Sequence, residues 1–389
     1  MATPAQLTVA YVAGCAPDDV RHWSGTTHYI GKSLAQAGLN IRHLGPFRAP
    51  GHWWRHCKFH LYRHILRKTY LALYDLKRAQ ALGRAVSAAV EQAQAQVVLG
   101  SFGDHLAYLQ TSLPLVVWTD GTFLRLRGFY PDYQNLCAAT RRAGEWIDRT
   151  VLQRCRLAVF ASDWAAESAL RDYGINPDKV HVIPFGANLD GNRTQADIEA
   201  LIAARPESPC RLLFVGRIWE RKGGDLAMAV ARRLNDMGLP TELTLVGSQP
   251  PSRHALPPFV RVRGFLSKNT VEGRAELERL FGESHFLLLP TRAEAYGIVF
   301  CEAASFGLPS LATAVGGVPS IIRNGLNGYT FPLSAGPEVY AQHIERLMRR
   351  YYDYRVLSRN SFLEYERRLN WRTAAERMRA LLEKVVQGT

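Results

Sequence analysis

Short apolar runs recur along this chain, each followed by a stretch of helical periodicity, and this alternation restricts the fold more than any other feature of the sequence. Such runs are typical of strands buried on both faces of a sheet. Because helical stretches separate them, the sequence predicts parallel strands joined by helices, the doubly wound α/β arrangement. The predicted strands are residues 7–13, 40–44, 97–100, 115–119, 157–161, 180–184, 211–215, 242–246, 260–264, 285–290 and 309–313.

The chain has 389 residues, more than one hydrophobic core usually supports, so the strands are expected to form two domains. We predict a first Rossmann-like domain over 1–187, a polar linker over 188–210 and a second Rossmann-like domain over 211–365. Residues 366–389 read as a C-terminal helix that packs back on the first domain. The carboxyl ends of both sets of strands are expected to face each other across a cleft that holds the ligand.

Composition restricts the partners and the compartment. The 48 Lys and Arg residues outnumber 34 Asp and Glu, which favours nucleotides, phospholipid headgroups or nucleic acid as partners. The six cysteines occur singly, without a C-x-x-C pair, which argues against a zinc site or a disulfide framework. We find no signal segment and no membrane-spanning run. A cytoplasmic protein is expected, and peripheral attachment at the inner face of the membrane is left open.

Two carboxylates spaced eight positions apart mark the densest part of the sequence. Glu294 falls in a turn after a predicted strand, and Glu302 falls inside a helix that begins near Gly297. Glu294 can then face a sugar while Glu302 faces a ribose. The backbone N–H groups of Gly297, Ile298 and Val299 suit a diphosphate, because a helix N-terminus attracts anions. The alternative is that Glu294 only caps the helix and Glu302 lies on a solvated face.

A second motif supplies cations. Gly216 and Arg217 follow a predicted strand, and Lys222 comes shortly after, beside two further glycines. Cations at a strand-to-helix turn, with glycines that allow close backbone approach, are what a departing nucleoside diphosphate requires. The alternative is a solvated basic face.

Together these motifs resemble a known family. The G-R-x4-K-G motif at 216–223 and the E-x7-E motif at 294–302, followed by G-G-V-P at 316–319 and N-G-x-x-G at 324–328, resemble the retaining GT-B glycosyltransferases of family four. The resemblance implies a GT-B fold, in which two Rossmann-like domains face each other across a cleft. The first domain then holds the acceptor and the second holds the nucleotide sugar.

The resemblance also implies an activity and roles for the site residues. It implies that Arg217 and Lys222 bind the diphosphate, that Glu302 holds the ribose hydroxyls, and that Glu294 contacts the transferred sugar as a catalytic residue. We therefore predict a hexosyltransferase of class EC 2.4. Its donor is linked to UDP or GDP, with UDP-glucose and GDP-mannose both suitable, and its acceptor is a saccharide, glycolipid or polysaccharide intermediate. No metal and no separate cofactor are expected, and no nucleic acid partner.

The first domain contributes two further candidates. Gly25 follows the first strand, where the family places a glycine loop near the phosphates and the acceptor. Asp120 ends a predicted strand at a place where many family members carry a histidine. Its carboxylate can accept the proton of the acceptor hydroxyl or steady the transition state, or it can simply cap the following turn.

Residues 52–78 interleave aromatic and basic side chains. A helix of this kind can lie on an anionic bilayer, or it can pack its rings inward and leave only the cations in water.

Two other functions remain open. One is a P-loop-like phosphotransferase that uses Lys32 and Asp120, although five residues rather than four separate the glycines of its motif. The other is a non-catalytic lipid- or nucleic-acid-binding protein on a GT-B scaffold.

Overall fold

A computed structural model of the protein describes residues 6–251 and 256–388. Within them the chain forms two compact units, each built on a six-stranded sheet with helices between the strands. Every strand pair with a determined register is parallel. The predicted α/β class with two Rossmann-like domains is therefore confirmed. The strands in the middle of both sheets consist almost entirely of buried apolar residues, as expected for sheets covered on both faces.

Unit 1 comprises Met1–Pro184 and Ala374–Thr389. Its sheet has the strand order β2-β1-β3-β4-β5-β6. The strands are β1 (Thr8–Val12), β2 (Asn40–Leu44), β3 (Val97–Gly100), β4 (Leu115–Thr119), β5 (Leu157–Phe160) and β6 (Val180–Val182). The helices are α1 (Thr26–Gln36), α2 (His52–His60), α3 (Leu76–Gln92), α4 (Gly103–Leu106), α5 (Phe123–Leu126), α6 (Ala138–Arg154) and α7 (Asp163–Arg171).

Unit 2 comprises Phe185–Thr373, and its sheet has the strand order β12-β11-β10-β7-β8-β9. The strands are β7 (Cys210–Val215), β8 (Thr241–Val246), β9 (Val260–Gly264), β10 (Phe286–Leu289), β11 (Ser310–Thr313) and β12 (Gly328–Phe331). The helices from here to the end of the described chain are α8 (Gln195–Ala204), α9 (Trp219–Lys222), α10 (Gly224–Asp236), α11 (Val271–Glu283), α12 (Ile298–Ala304), α13 (Val318–Ile321), α14 (Pro337–Arg349), α15 (Tyr351–Arg368) and α16 (Trp371–Gln387).

The segment expected to be a linker, 188–210, is not extended. It contains α8, which begins at a capping box between Thr194 and Asp197 and belongs to unit 2. The described boundary falls earlier, between Pro184 and Phe185.

Helix α16 begins in unit 2 and belongs to unit 1 from Ala374 onward. Within unit 1, Arg377 donates to the carbonyl oxygen of Val182 in β6, and Arg379 donates to that of Ala37 just after α1.

Candidate functional site

The cationic motif of unit 2 lies just beyond the carboxyl end of β7. Lys222 is the last residue of α9, and the helix stops there because Gly223 adopts a left-handed conformation with φ of 76°. A Cβ atom at Gly223 would lie 2.0 Å from the carbonyl oxygen of Pro290, so only glycine fits this close approach. The turn thus holds Lys222 against the segment that follows β10.

Glu294 lies in that segment, and Lys222 donates a hydrogen bond to its carboxylate. The guanidinium of Arg221 is 3.6 Å from the same carboxylate oxygen. The sheet order explains this meeting: β8 lies on one side of β7 and β10 on the other, so the direction of the chain through the sheet reverses between β7 and β10. In open parallel sheets this switch point is where ligands bind.

Glu302 is buried in α12, and its carboxylate accepts a hydrogen bond from the ammonium of Lys268, which lies in the loop after β9. Each predicted carboxylate of unit 2 therefore has an ammonium partner. Sequence reasoning missed Lys268, since it stands 34 positions from Glu302 and belongs to no motif. Arg221 was also missed, although it directly precedes Lys222.

The other predicted donor residues lie either between these two carboxylates in sequence or just after β7. Gly297 is the N-cap of α12 with φ of 98°, and Ile298 and Val299 form its first turn, where N–H groups lack acceptors within the helix. A Cβ at Gly216 would lie 2.8 Å from Cγ of Lys222. Arg217 is exposed, with its guanidinium 5.2 Å from the centre of the Phe265 ring.

Two of the predicted site residues belong to unit 1. Asp120 follows β4 and accepts a hydrogen bond from the indole Nε1 of Trp23 at 3.2 Å. The following helix α5 is capped by Thr122, whose side chain accepts from Arg125. Gly25 is the N-cap of α1 with φ of 92°. Lys32, the lysine of the P-loop-like alternative, lies further along α1, with its ammonium 5.5 Å from the ring of Tyr29.

The aromatic residues of the 52–78 segment divide into two groups. Tyr70 and Tyr74 are buried, as the inward-packing alternative predicts for the whole segment. Trp53 and Trp54, in contrast, are 63% and 66% exposed, and none of the residues of α2 is buried. Only the first part of the segment therefore presents its rings to solvent.

Neither a metal cluster nor a membrane span is apparent in residues 6–251 and 256–388. No group of three or more His, Cys, Asp or Glu side chains there is arranged to hold a metal ion. No helix in the same residues has the length and apolar character needed to cross a bilayer.

Comparison with known proteins identifies related sequences. Residues 209–350 match the family model described as glycosyl transferases group 1, and residues 26–190 match that of glycosyltransferase family 4. The D-inositol 3-phosphate glycosyltransferase 1 of Catenulispora acidiphila is 28% identical over 57% of this chain and 56% of its own length. A D-inositol 3-phosphate glycosyltransferase of Streptomyces bingchenggensis is 31% identical over 47% of this chain and 43% of its own length. The similarity thus spans about half the length of these relatives.

Solved structures share the fold over almost the whole chain. The sucrose-phosphate synthase of Thermosynechococcus elongatus superimposes with a TM-score of 0.70 at 16% identity, covering 99% of this chain and all of that one. Anabaena HepE, solved in complex with UDP and glucose, gives a TM-score of 0.64 at 15% identity, covering 97% of this chain and all of its own.

Proposed function

Since this chain belongs to the group 1 glycosyltransferases, which have the GT-B fold, we propose that it transfers a hexose from a nucleoside diphosphate sugar to a hydroxyl acceptor. The observation that carries the donor assignment is the pair of buried carboxylates, each with an ammonium partner, at the carboxyl ends of the unit 2 strands. The donor carries UDP or GDP, and its sugar is glucose or mannose.

The cations of this site suit the leaving group. Lys222 and Arg221 approach Glu294 from the turn after β7, and Arg217 lies exposed on the same turn. A diphosphate that enters here gains charge-assisted hydrogen bonds as negative charge develops on it during transfer. The first-turn N–H groups of α12 add donors to the same phosphates. No step requires a metal ion.

Glu294 is a catalytic residue in this proposal because it contacts the transferred sugar, but it does not attack the anomeric carbon. Two cations hold its carboxylate, and ion pairing withdraws electron density that a nucleophile needs. Retention then follows from front-face substitution. The acceptor oxygen bonds to the anomeric carbon, the bond to the phosphate oxygen breaks with its electron pair, and that oxygen takes the acceptor proton. Asp120 positions the acceptor side of the reaction.

Glu302 serves the nucleotide rather than the chemistry. Its buried carboxylate accepts from the ribose hydroxyls, and the contact with Lys268 holds it in place in the unliganded protein.

Calorimetric titration with UDP, GDP and ADP in the presence of EDTA tests the donor site. We expect one nucleotide to bind, and Lys222→Ala or Glu302→Ala to weaken it about 10- to 100-fold, since a hydrogen bond to a charged group contributes about 1.5–3 kcal/mol. Glu338→Ala is the control, because Glu338 pairs with Arg233 on the surface of the same unit. Failure of all three nucleotides to bind the wild-type protein would refute the proposed function.

Retention has its own test. In the absence of acceptor, slow hydrolysis of UDP-glucose or GDP-mannose by a retaining enzyme releases the α-anomer first, and proton NMR distinguishes it before mutarotation. Initial release of the β-anomer would show inversion and exclude front-face substitution.

We further propose that the acceptor is a glycolipid or a polysaccharide intermediate reached from an anionic membrane surface. The exposed part of the basic aromatic segment supports this, since Trp53, Trp54 and Ile65 are each more than 60% exposed. The chain has no Asp or Glu between Val20 and Tyr74. Rings that enter the interface beside cations at the headgroups are a recognised way for a helix to lie on a bilayer.

Sedimentation with vesicles tests the membrane surface. We expect the protein to bind vesicles that contain phosphatidylglycerol and to remain free with phosphatidylcholine alone. Replacing both Trp53 and Trp54 by serine should abolish binding. Trp146→Ser, which removes another exposed tryptophan of unit 1, should leave it intact. Equal binding by the double variant would exclude this surface.

A further inference from the structure

Two histidines of unit 1 converge where its strand order reverses. β2 lies on one side of β1 and β3 on the other, so the switch point lies between β1 and β3. His22 comes from the connection after β1, and His105 comes from the one after β3. Both rings approach Gly14: a Cβ placed there would lie 3.6 Å from Nε2 of His22 and 3.7 Å from Cε1 of His105. Room for at least a methyl group therefore lies between the two imidazoles at the end of the sheet.

The ring of His105 has a defined orientation. Its Nδ1 is 2.9 Å from the carboxylate of Asp104, which is buried and also accepts from Arg78. Burial alone would raise the pKa of Asp104, but the hydrogen bond with His105 and the charges of His105 and Arg78 lower it below its usual value. An ionised carboxylate requires a proton on Nδ1, and this contact directs Nε2 away from Asp104.

Aromatic rings form the wall beside the two histidines. The ring of Phe102 lies 5.3 Å from His22 and 5.2 Å from Trp23, centre to centre. Trp23 and Ser24 both have positive φ, of 49° and 58°, which is uncommon outside glycine. Such backbone strain concentrates at ligand-binding loops. The hydrogen bond of Trp23 to Asp120 holds the indole in this position.

The chemistry of this space suits an uncharged ring with many hydroxyls. Aromatic faces pack against the C–H faces of a sugar, and imidazole nitrogens bond to its hydroxyls. Burial lowers the pKa of His22, against the opposing charge of Asp19, so His22 is neutral at pH 7 and provides no cation for a phosphate. The carboxylate of Asp120, which accepts from Trp23, disfavours an anionic ligand further, whereas the charge of Asp104 is offset by Arg78.

We propose that His22, Trp23 and His105 form the acceptor subsite, and that it takes an uncharged saccharide ring, one hydroxyl of which forms a hydrogen bond with Nε2 of His105. Asp104 is a positioning residue, because it acts by holding Nδ1 of His105 and so fixes the orientation of the ring. This inference rests on the proposed function, since it assigns the acceptor side of the same transfer. It also separates this chain from the relatives whose names specify an inositol phosphate.

Gly14→Ala is the decisive variant. The added methyl group meets both imidazoles at ordinary contact distance, and Gly14 does not have a left-handed φ, so the substitution narrows the subsite between the two rings without straining the fold. Gly31→Ala is the matched control, because its methyl group would lie 3.5 Å from the ring of Tyr11 in the same unit, away from the two histidines.

Saturation-transfer NMR with methyl α-glucoside, methyl α-mannoside and myo-inositol measures the binding of neutral rings. Glucose 1-phosphate and myo-inositol 3-phosphate are the anionic counterparts. We expect at least one neutral ring to bind the wild-type protein and Gly31→Ala, and Gly14→Ala and His105→Gln to lose at least ten-fold in affinity. Three results would overturn the proposal: no neutral ring binds, Gly14→Ala binds as the wild type does, or the phosphorylated rings bind more tightly.

Two further measurements separate the possible failures. Gly14→Ala should bind nucleotide with the same affinity as the wild type. If neutral rings bind the wild type but no nucleotide does, the proposed donor site is refuted and the proposed acceptor subsite is retained. Nitrogen-15 NMR should show a proton on Nδ1 of His105, and Asp104→Asn should change the signal of that nitrogen. An unchanged Nδ1 signal in Asp104→Asn would refute the positioning role.

Discussion

Lys222→Met is expected to destabilise unit 2 substantially, because it removes a cation from a nearly buried pair. The side chains of Lys222 and Glu294 are 12% and 10% exposed. A buried charge left without its partner typically costs about 3–5 kcal/mol. Arg221 remains 3.6 Å from the carboxylate, so we expect the lower end of that range, about 3 kcal/mol.

A second ion pair between the same two stretches provides the comparison. Arg292, in the segment after β10, makes two hydrogen bonds of 2.8 and 2.6 Å with Asp225, at the start of α10. These side chains are 46% and 55% exposed. Solvent therefore screens the pair, and Arg292→Met should cost no more than about 1 kcal/mol.

Hydrogen–deuterium exchange of the amides of β7 and β10, measured by mass spectrometry, reports the free energy of opening of unit 2 alone. The double variant Lys222→Met/Glu294→Gln should be more stable than the sum of its single variants predicts, by about 2 kcal/mol, because the neutral amide that replaces the carboxylate no longer needs the ammonium. If Lys222→Met and Arg292→Met cost the same, burial does not govern the strength of the Lys222–Glu294 pair and the reasoning is wrong.

Three further predictions concern groups that are buried or partly buried. Burial raises the pKa of Asp148 to about 7, so ionising this carboxyl in the folded protein costs stability as pH rises above the pKa of the unfolded chain. Between pH 5 and pH 8, the free energy of unfolding of Asp148→Asn should therefore rise by about 3 kcal/mol relative to that of the wild type, as measured by urea titration. Burial lowers the pKa of His285 to about 4, so the wild type should lose about 3 kcal/mol as pH falls from 6.5 to 4, and His285→Gln should lose less. A Cβ at Gly144 would lie 2.3 Å from the ring of Phe123, so Gly144→Ala should cost about 1–3 kcal/mol by overpacking and lower the melting temperature seen by calorimetry.

The strands were predictable because their signal is local. Each predicted run is present in the structure, with ends that differ by at most a residue or two from those observed. β12 was missed, since it is a four-residue edge strand that begins with glycine and is only partly buried. Helix α8 was missed because its surroundings are polar, although its capping box stands in the sequence.

The two motifs of unit 2 are local in sequence, and the family could be predicted from them. The prediction of a glycosyltransferase is confirmed by the family models. The partners of the motif residues were not. Lys268 reaches Glu302, and Trp23 reaches Asp120 across 97 positions, only because the strand order brings separate loops to one end of a sheet. No sequence spacing predicts contacts between such distant residues. The carboxylates could therefore be identified from the sequence, but their hydrogen-bond partners could not.

Unit 1 consists of two stretches that are far apart in the chain, and this has a consequence for its folding during synthesis. The ribosome delivers the strands of this unit first, then all of Phe185–Thr373, and only afterwards the stretch from Ala374 onward. During that interval the carbonyl groups of Ala37 and Val182 lack the hydrogen bonds that the arginines of α16 donate to them in the folded protein. Domains usually fold as they emerge, but this one can reach its complete form only after its neighbour has been translated. The nascent chain therefore carries an incompletely folded unit 1, which is accessible to chaperones and proteases for as long as the synthesis of unit 2 takes.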